Sequence, residues 1–244
     1  MKLSTTLTSL AACLPGLTSA HGFVRGVRVN GAWTAGSDPV WFYSPAGQGP
    51  VTAGWDSLNQ DLGFVEPARF GTSDIACHKS ATAGKNFINV PAGTTIEIFW
   101  NTWPDSHKGP IIDYIAPFNG ETAANLRWSK FSQKSIVSGQ TWVTDSLIQN
   151  NFTTTTTIPR NLAPGNYVLR HEIIALHGAG SDNGAQNYPQ CLNLRVTGSG
   201  TVRPTNGVAG TSLYTRSQPG IIFNLYTQYT SYPYPGPALW TAAN

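Results

Sequence analysis

Hydrophobic and polar residues alternate along several short stretches of this chain. Ile96, Ile98 and Trp100 alternate with residues of the other parity, which is the period of two expected of a half-buried β-strand. Strands are predicted at 24–29, 95–100, 111–116, 152–158, 166–176 and 192–196. Short strands separated by turn signals, without a helical period, predict an all-β protein with an immunoglobulin-like β-sandwich.

Segments rich in glycine and proline separate these strands. The stretch 32–71 alternates only weakly, yet it carries several tryptophan, tyrosine and phenylalanine residues. So many aromatic residues argue against disorder, and we expect a long ordered loop or a set of short elements. Two further loops are predicted at 101–110 and 177–189.

The first twenty residues have the pattern of a secretory signal peptide. Lys2 precedes an apolar stretch at 7–17, and Thr18-x-Ala20 provides small residues for cleavage after Ala20. No later apolar stretch is long enough to cross a bilayer. We therefore expect a secreted protein. No linker leads to a second module, so we expect one domain at 21–244.

The charge content limits the classes of binding partner, and the cysteine content limits the possible disulfides. Charged residues make up 11% of the chain, and no run of lysine or arginine occurs, so nucleic acid and anionic membranes are not expected as partners. The mature chain keeps Cys77 and Cys191, which in an oxidising compartment most simply pair, with two free thiols as the alternative. Asn151 begins an Asn-x-Thr sequon and is the predicted glycosylation site.

Cleavage after Ala20 would make His21 the first residue of the mature protein. An N-terminal histidine offers two nitrogens, its amine and its ring Nδ1, at a spacing that can chelate a metal. The ordinary pKa values, roughly 7.7–8.0 for the amine and about 6.5 for the imidazole, allow a metal to displace both protons near neutral pH. The alternative is that cleavage before a histidine is a coincidence.

His107 lies in the breaker-rich loop between two predicted core strands, which gives it a fixed base and an exposed position. Together, His21 and His107 could supply three nitrogens in one plane. That T-shaped set suits one copper(II) ion, whereas zinc prefers a fourth, tetrahedral ligand. The alternative for His107 is an ordinary loop histidine.

The loop at 177–189 adds further candidates. Gln186 and Tyr188 are two residues apart, so in extended chain their side chains face the same way. The Tyr188 oxygen could be axial to copper, and His177 and Gln186 could hydrogen-bond whatever binds the open position. The alternative for Tyr188 is a core tyrosine with a locally bonded hydroxyl. We interpret His171 as a buried strand residue and His78 as local structure.

Other chemistries find little support in the sequence. It contains no glycine-rich phosphate loop, no His-Glu-x-x-His motif and no nucleophile elbow. Its carboxylates are few and scattered, so a glycosidase with paired carboxylates cannot be argued from their spacing.

Five sequence blocks together resemble one known family. They are HG at 21–22, WPxSHxGPxIxY at 103–114, RHEIIALH at 170–177, GAQNYPQC at 184–191 and YPGPAL at 234–239. Over essentially the whole mature chain, the sequence is similar to fungal lytic polysaccharide monooxygenases of Auxiliary Activity family 9. The second disulfide found in many members has no cysteines here. The resemblance implies that 21–244 is a single catalytic domain without a carbohydrate-binding module.

The resemblance implies an immunoglobulin- or fibronectin-like antiparallel sandwich with long loops that form a flat, copper-bearing face. It also implies roles for particular residues: a histidine brace from His21 and His107, axial Tyr188, catalytic and oxygen-binding His177 and Gln186, and a Cys77–Cys191 disulfide.

The activity implied by the resemblance is oxidative cleavage of cellulose at C1 or C4 with O2 or H2O2. A small-molecule reductant or cellobiose dehydrogenase would donate the electrons, and we expect a monomer. Tyr232, in a proline-rich tail, is the predicted sugar-stacking residue, and Tyr43 is a second candidate. Aromatic rings stack on sugar rings largely through apolar contact.

Three other functions remain open from the sequence. A non-catalytic cellulose-binding module would use the tyrosines without a functional metal. A copper-storage or transport protein would have the same brace but no cleavage activity. The same oxidative chemistry on xylan or xyloglucan would differ only in substrate.

Overall fold

The computed structural model describes residues 21–45 and 48–244. The predicted signal peptide at 1–20 lies outside the described residues. Within the described part of the chain, no helix combines the length and the apolar character needed to cross a membrane.

β-Strands dominate the described residues, as the alternation predicts. The predicted strands at 24–29 and 95–100 have those bounds. The strand predicted at 111–116 is one residue longer at its C-terminal end, and those predicted at 152–158 and 166–176 differ by one residue at each end. The strands are β1 (Val24–Val29), β2 (Ala32–Ala35), β3 (Ile88–Pro91), β4 (Thr95–Trp100), β5 (Ile111–Pro117), β6 (Arg127–Lys134), β7 (Ile136–Ser138), β8 (Thr141–Trp142), β9 (Thr153–Thr157), β10 (Gly165–Ala175), β11 (Gln186–Thr197) and β12 (Val208–Ala209).

Helices are short and lie in the segments that connect or follow the strands. The aromatic-rich stretch 32–71 forms short elements, which was one of the two structures predicted for it. The α-helices are α1 (Asp74–Cys77) and α2 (Val143–Gln149), and the 3-10 helices are Pro39–Tyr43, Pro67–Arg69 and Gly210–Ser212.

Two sheets form the predicted sandwich. The four-stranded sheet has the order β2-β1-β4-β9, and the six-stranded sheet has the order β12-β6-β5-β10-β11-β3. Strands β7 and β8 form a separate hairpin. Pairing within the sheets is antiparallel except between β11 and β3, which run parallel.

The six-stranded sheet is buried on both faces. One face packs against the four-stranded sheet, as the shared cluster of Val27, Ile98 and Leu169 shows. The other face is covered by loops, so that Val168 and Ile174 belong to a second cluster of buried residues. Burial on both faces explains why β10 has apolar residues of both parities, at 167–169 and 173–175, rather than an alternating pattern.

A buried ion pair fixes the covering loops to this sheet. Arg170 and Glu172 are fully buried and are joined by two hydrogen bonds of 2.7 Å. The Arg170 guanidinium also donates to the backbone carbonyls of Ile75 and Ala76 in α1. These bonds satisfy charges that would otherwise be costly to bury.

The prediction of a loop through residue 189 is wrong at its C-terminal end, because β11 begins at Gln186. Pro189 suggested a break, since proline donates no ladder hydrogen bond. Asn187 and Asn193 use their backbone N–H groups for bonds to loop residues on the side away from β10. Pro189 has the same parity, so its missing N–H removes no bond to β10.

Candidate metal centre

His21 lies directly before β1, and the residues after it fix its place. The Phe23 N–H donates to Oδ1 of Asn101 at 2.8 Å, and the Asn101 N–H donates to the Phe23 carbonyl at 3.0 Å. A Cβ on Gly22 would come within 2.2 Å of the Thr102 carbonyl oxygen. Glycine is therefore needed at position 22 for His21 to approach the 101–110 loop.

His107 lies in the loop that connects β4 to β5. Trp103 donates from Nε1 to the His107 carbonyl at 2.9 Å, and its ring packs at 88° against the imidazole. A Cβ on Gly109 would come within 1.8 Å of the Ile174 carbonyl oxygen. This glycine lets the loop lie directly against β10, next to the residues that lead to His177.

Four of the candidate side chains converge at one place. The ring centroid of His107 lies 5.4 Å from that of His21, 4.1 Å from that of His177 and 6.5 Å from that of Tyr188. His21 and Tyr188 are 5.7 Å apart by the same measure. Phe64 packs 6.0 Å from each of those two rings and covers one side of the group.

The hydrogen bonding of His107 leaves one ring nitrogen available. Nδ1 lies 3.0 Å from the Ser106 hydroxyl, while Nε2 is buried and has no hydrogen-bond partner among the described residues. If Nδ1 donates its proton to the Ser106 oxygen, Nε2 carries a bare lone pair. Histidines that bind metals commonly donate their other N–H in this way.

Tyr188 and Gln186 face the same way on β11, as the predicted extended spacing requires. The Tyr188 hydroxyl donates to Oε1 of Gln186 at 2.7 Å. That bond fixes the side-chain amide, so its NH2 group remains as a donor. Tyr188 is fully buried, and burial raises the pKa of its hydroxyl above the ordinary value.

Burial keeps the three histidines of this group neutral over a wide pH range. Burial, followed by the neighbouring His177 and His21, lowers the pKa of His107 to about 4. Burial also lowers the pKa of His177 and of His21, although Asp61 opposes the shift at His21. Neutral imidazoles are the form that binds metal ions.

These residues fit a copper ion if the amine of His21 serves as a donor alongside the side chains. Within residues 21–45 and 48–244, no group of three histidine, cysteine, aspartate or glutamate side chains is placed to hold a metal. His21 and His107 offer two imidazoles, and the amine of His21 is a third nitrogen in a chain that begins there. Nitrogen donors with an unpartnered, buried Nε2 suit copper(II).

The predicted disulfide joins Cys77 at the end of α1 to Cys191 in β11, across 114 residues of sequence. The alternative of two free thiols is therefore wrong. Asn151 is exposed, as a glycosylation site must be, and its modification stays a prediction.

The remaining histidines have the structural roles predicted for them. His171 is fully buried, with Nδ1 at 2.6 Å from Asp113 and Nε2 accepting from the Trp100 indole at 3.1 Å. His78 is buried, with Nε2 at 3.0 Å from the Gly63 carbonyl.

The prediction that Tyr232 stacks on a sugar is wrong. Its side chain is buried, its hydroxyl donates to the Gly220 carbonyl at 2.7 Å, and its ring packs against Trp142 and Phe223. Tyr43 is 69% exposed, and its role in substrate binding stays a prediction.

Tyr226 is an aromatic residue that sequence reasoning missed. It is 79% exposed, and its hydroxyl donates to the His177 carbonyl at 3.2 Å, so it lies beside the histidine group. Its neighbours Asn224 and Thr227 make a polar turn around it. The sequence alone does not distinguish this tyrosine from Tyr232, which also has polar neighbours in the same tail.

Comparison with known proteins places this chain in a family. The sequence model of Auxiliary Activity family 9 (formerly GH61) matches residues 21–234. An AA9 family lytic polysaccharide monooxygenase F from Malbranchea cinnamomea is 51% identical, with 98% of each chain covered. A second one, from Emericella nidulans, is 49% identical, with 97% of each chain covered.

Solved structures agree with the sequence match. A glycoside hydrolase family 61 member from Hypocrea jecorina superposes with a TM-score of 0.85 at 42% identity, covering 90% of this chain and 100% of that one. The extended catalytic domain of LPMO9A from H. jecorina also gives a TM-score of 0.85, at 44% identity and 92% coverage of both chains. The chain therefore belongs to Auxiliary Activity family 9, the lytic polysaccharide monooxygenases.

Proposed function

We propose that this protein is a secreted, copper-dependent monooxygenase that oxidises cellulose, a β-1,4-glucan, at C1 or C4. Its co-substrate is O2 or H2O2, and an external donor supplies the electrons. The observation that carries this proposal is the convergence of His21, His107 and Tyr188, with Nε2 of His107 buried and unpartnered.

Two findings support cleavage before His21. The family match begins at residue 21, and Gly22 and Asn101 hold the start of β1 against the loop that carries His107. Cleavage frees an amine at the point where the two imidazoles need a third nitrogen.

His21 and His107 would hold the copper, with the Tyr188 hydroxyl as a further candidate ligand. Bound copper would supply one-electron redox chemistry. Phe64 and Trp103 pack around the ligand side chains and limit their movement. This packing preorganises the donors before copper binds.

His177 and Gln186 are our candidates for orienting the oxygen co-substrate. Nδ1 of His177 is buried without a partner among the described residues, and the fixed amide of Gln186 presents its NH2 group. Donors that are fixed in advance cost little reorganisation during the reaction. Burial raises the pKa of the Tyr188 hydroxyl above its ordinary value, so this hydroxyl keeps its proton at acidic and neutral pH.

Tyr226 and Tyr43 are our candidates for contact with the polysaccharide. Both rings are exposed, and the bond from Tyr226 to the His177 carbonyl fixes its place beside the proposed copper ligands. A rigid aromatic ring loses little entropy when a sugar ring stacks on it.

The proposal is tested with copper-loaded protein, swollen cellulose and ascorbate, followed by mass spectrometry of the soluble products. We expect oxidised cello-oligosaccharides from the wild-type protein and none from His107→Ala. Copper binding without oxidised products would contradict the proposal and favour a copper-storage role.

A further inference from the structure

An aromatic pair lies on the outer face of the four-stranded sheet. Trp33 in β2 is 45% exposed, and its ring meets that of Phe99 in β4 at 5.2 Å between centroids. The indole reaches Phe99 by lying across β1, because Gly26 has no side chain. A Cβ at that position would come within 2.2 Å of the indole ring. We call Trp33 and Phe99 the sheet-face pair.

Two arginines flank the sheet-face pair. The Arg28 guanidinium lies 4.8 Å from the centroid of the Phe99 ring, and the Arg25 guanidinium lies 5.7 Å from that of Trp33. Arg28 is also ion-paired with Glu97 at 3.5 Å. The cation–π contacts limit the movement of both rings, and the guanidinium groups are donors for neutral oxygen acceptors next to the rings.

The predicted glycosylation site lies beside the sheet-face pair. Thr153, the first residue of β9, is paired directly with Phe99 in β4, so the two side chains share the outer face of the sheet. The Thr153 hydroxyl donates to the Asn151 carbonyl at 3.3 Å. Asn151 is therefore held next to Phe99 on the same side of the sheet.

The backbone at Asn151 is fixed by the residues around it. Its N–H donates to the Ile148 carbonyl at the end of α2, at 3.2 Å, and the Asn150 side chain donates to the Thr153 carbonyl at 3.0 Å. Its φ of 50° is in the left-handed region, where asparagine occurs more often than most residues. Because Asn151 is exposed, a glycan linked to it would start from a fixed position and project into solvent beside Phe99.

The chemistry of this surface fits the first sugars of an N-linked glycan. N-Acetylglucosamine combines an apolar ring face and an acetyl methyl group with neutral hydroxyl and amide groups. Aromatic rings bind the apolar parts, and the flanking guanidinium groups can donate to the sugar oxygens. An acidic partner fits less well, because the carboxylate of Glu97 lies in the same group.

Covalent attachment favours this contact further. A free sugar would lose translational and rotational freedom when it bound to the two rings. A glycan attached beside Phe99 has already lost most of that freedom, so its effective concentration at the rings is high. Even a weak stacking contact can then be populated.

We infer that the glycan on Asn151 folds back over the four-stranded sheet and stacks on Phe99 and Trp33. The inference gives an exposed apolar surface its occupant and gives the modification a stabilising role. It depends on the predicted glycosylation of Asn151 and is independent of the proposed copper chemistry.

Hydroxyl-radical labelling of the wild-type protein tests the contact without any substitution. Protein secreted by a fungal host is labelled before and after enzymatic removal of its N-linked glycan, and peptide mass spectrometry measures the oxidation of Trp33. Tyr226, which is exposed elsewhere on the surface, is the internal control. We expect the glycan to reduce the oxidation rate of Trp33 to roughly half or less, because a sugar covers one face of the ring. Equal rates for Trp33 with and without the glycan, or secreted protein without a glycan on Asn151, would overturn the inference.

Thermal unfolding of metal-free protein measures the stabilising effect. Removal of the glycan should lower the unfolding midpoint of the wild type by about 2–4 °C, the shift expected for the loss of one such contact in a domain of this length. Trp33→Thr and Phe99→Thr remove the rings and keep a residue suited to a strand. In both variants, removal of the glycan should lower the midpoint by less than in the wild type.

Val137→Thr is the matched control for these variants. Val137 is exposed and lies in the separate hairpin of β7 and β8, outside the four-stranded sheet. The full decrease in midpoint should persist in this control. A decrease of the same size in the wild type and in both ring variants would overturn the inference, since the stabilisation would then not pass through the sheet-face pair.

Discussion

The imidazole rings of His107 and His177 lie 4.1 Å apart between centroids, with 35° between their planes. Two imidazole rings in such contact repel each other strongly when both are positively charged. The contact adds to burial in lowering the pKa of His107 to about 4. The neutral imidazole, which is the form that binds a metal ion, is therefore favoured, and its Nε2 is buried with no hydrogen-bond partner among the described residues.

The Ser106 hydroxyl should tune copper affinity through the tautomer of His107. Ser106→Ala removes the partner of Nδ1, and we expect copper affinity to fall by roughly 10-fold or more, as is usual when such a partner is lost. His107→Ala should abolish one-to-one binding. Calorimetry with copper(II) measures both, and Ser217→Ala, at an exposed position, is the control. Unchanged affinity in Ser106→Ala would show that the hydroxyl does not set the tautomer.

Stability should decrease in mild acid because of His78. Its Nδ1 accepts from the Lys79 N–H at 2.9 Å, so the proton is on Nε2, which donates to Gly63. Burial lowers the pKa of His78 to about 4, whereas the unfolded chain binds a proton near pH 6.5. The contribution is complete above about pH 6.5 and is lost as the pH falls towards 4, with a total of roughly 3 kcal/mol.

Urea unfolding of metal-free protein at pH 7 and pH 4.5 tests this effect. The free energy of unfolding should fall less between the two pH values in His78→Gln than in the wild type. Equal losses in the two proteins would exclude His78 as the source.

The disulfide should contribute strongly to stability. It closes a loop of 114 residues, and loss of a native disulfide typically costs 2–5 kcal/mol. We expect the Cys77→Ser/Cys191→Ser double variant to show a decrease of that size in urea unfolding. A decrease below about 1 kcal/mol, the size of an average substitution, would contradict this expectation.

Tyr226 and Tyr232 should respond in opposite ways. Tyr226→Ala removes an exposed ring and should weaken binding to cellulose, with little effect on thermal unfolding. Tyr232→Phe removes the bond to Gly220 and should cost about 1 kcal/mol of stability without changing cellulose binding. Pull-down on insoluble cellulose and thermal unfolding measure the two effects. Weaker cellulose binding in Tyr232→Phe alone would reverse the assignment.

The sequence predicts the sandwich well where one face of a strand is buried. Residues 95–100 alternate because Ile96, Ile98 and Trp100 face the core and their neighbours do not, so both ends of that strand are predicted correctly. The start of β11 could not be predicted from the sequence. A strand accepts Pro189 because the nitrogen of this residue faces away from β10, where no ladder hydrogen bond is lost. The same side of the strand bonds through Asn187 and Asn193 to loop residues that are remote in sequence.

The candidate ligands were predictable because each belongs to a recognisable motif. The exposed tyrosine of the tail was not predictable, since the tail has several tyrosines among prolines and only tertiary packing separates them. Tyr232 is drawn into the aromatic group around Trp142, while Tyr226 stays at the surface.

The central claim is that the amine of His21 completes a copper site with His107. Calorimetry with copper(II) on the protein that begins at His21, and on the same protein with one added glycine before His21, tests it most directly. We expect tight one-to-one binding by the first protein and binding at least about 100-fold weaker by the second. Equal affinity of the two proteins for copper would contradict the account.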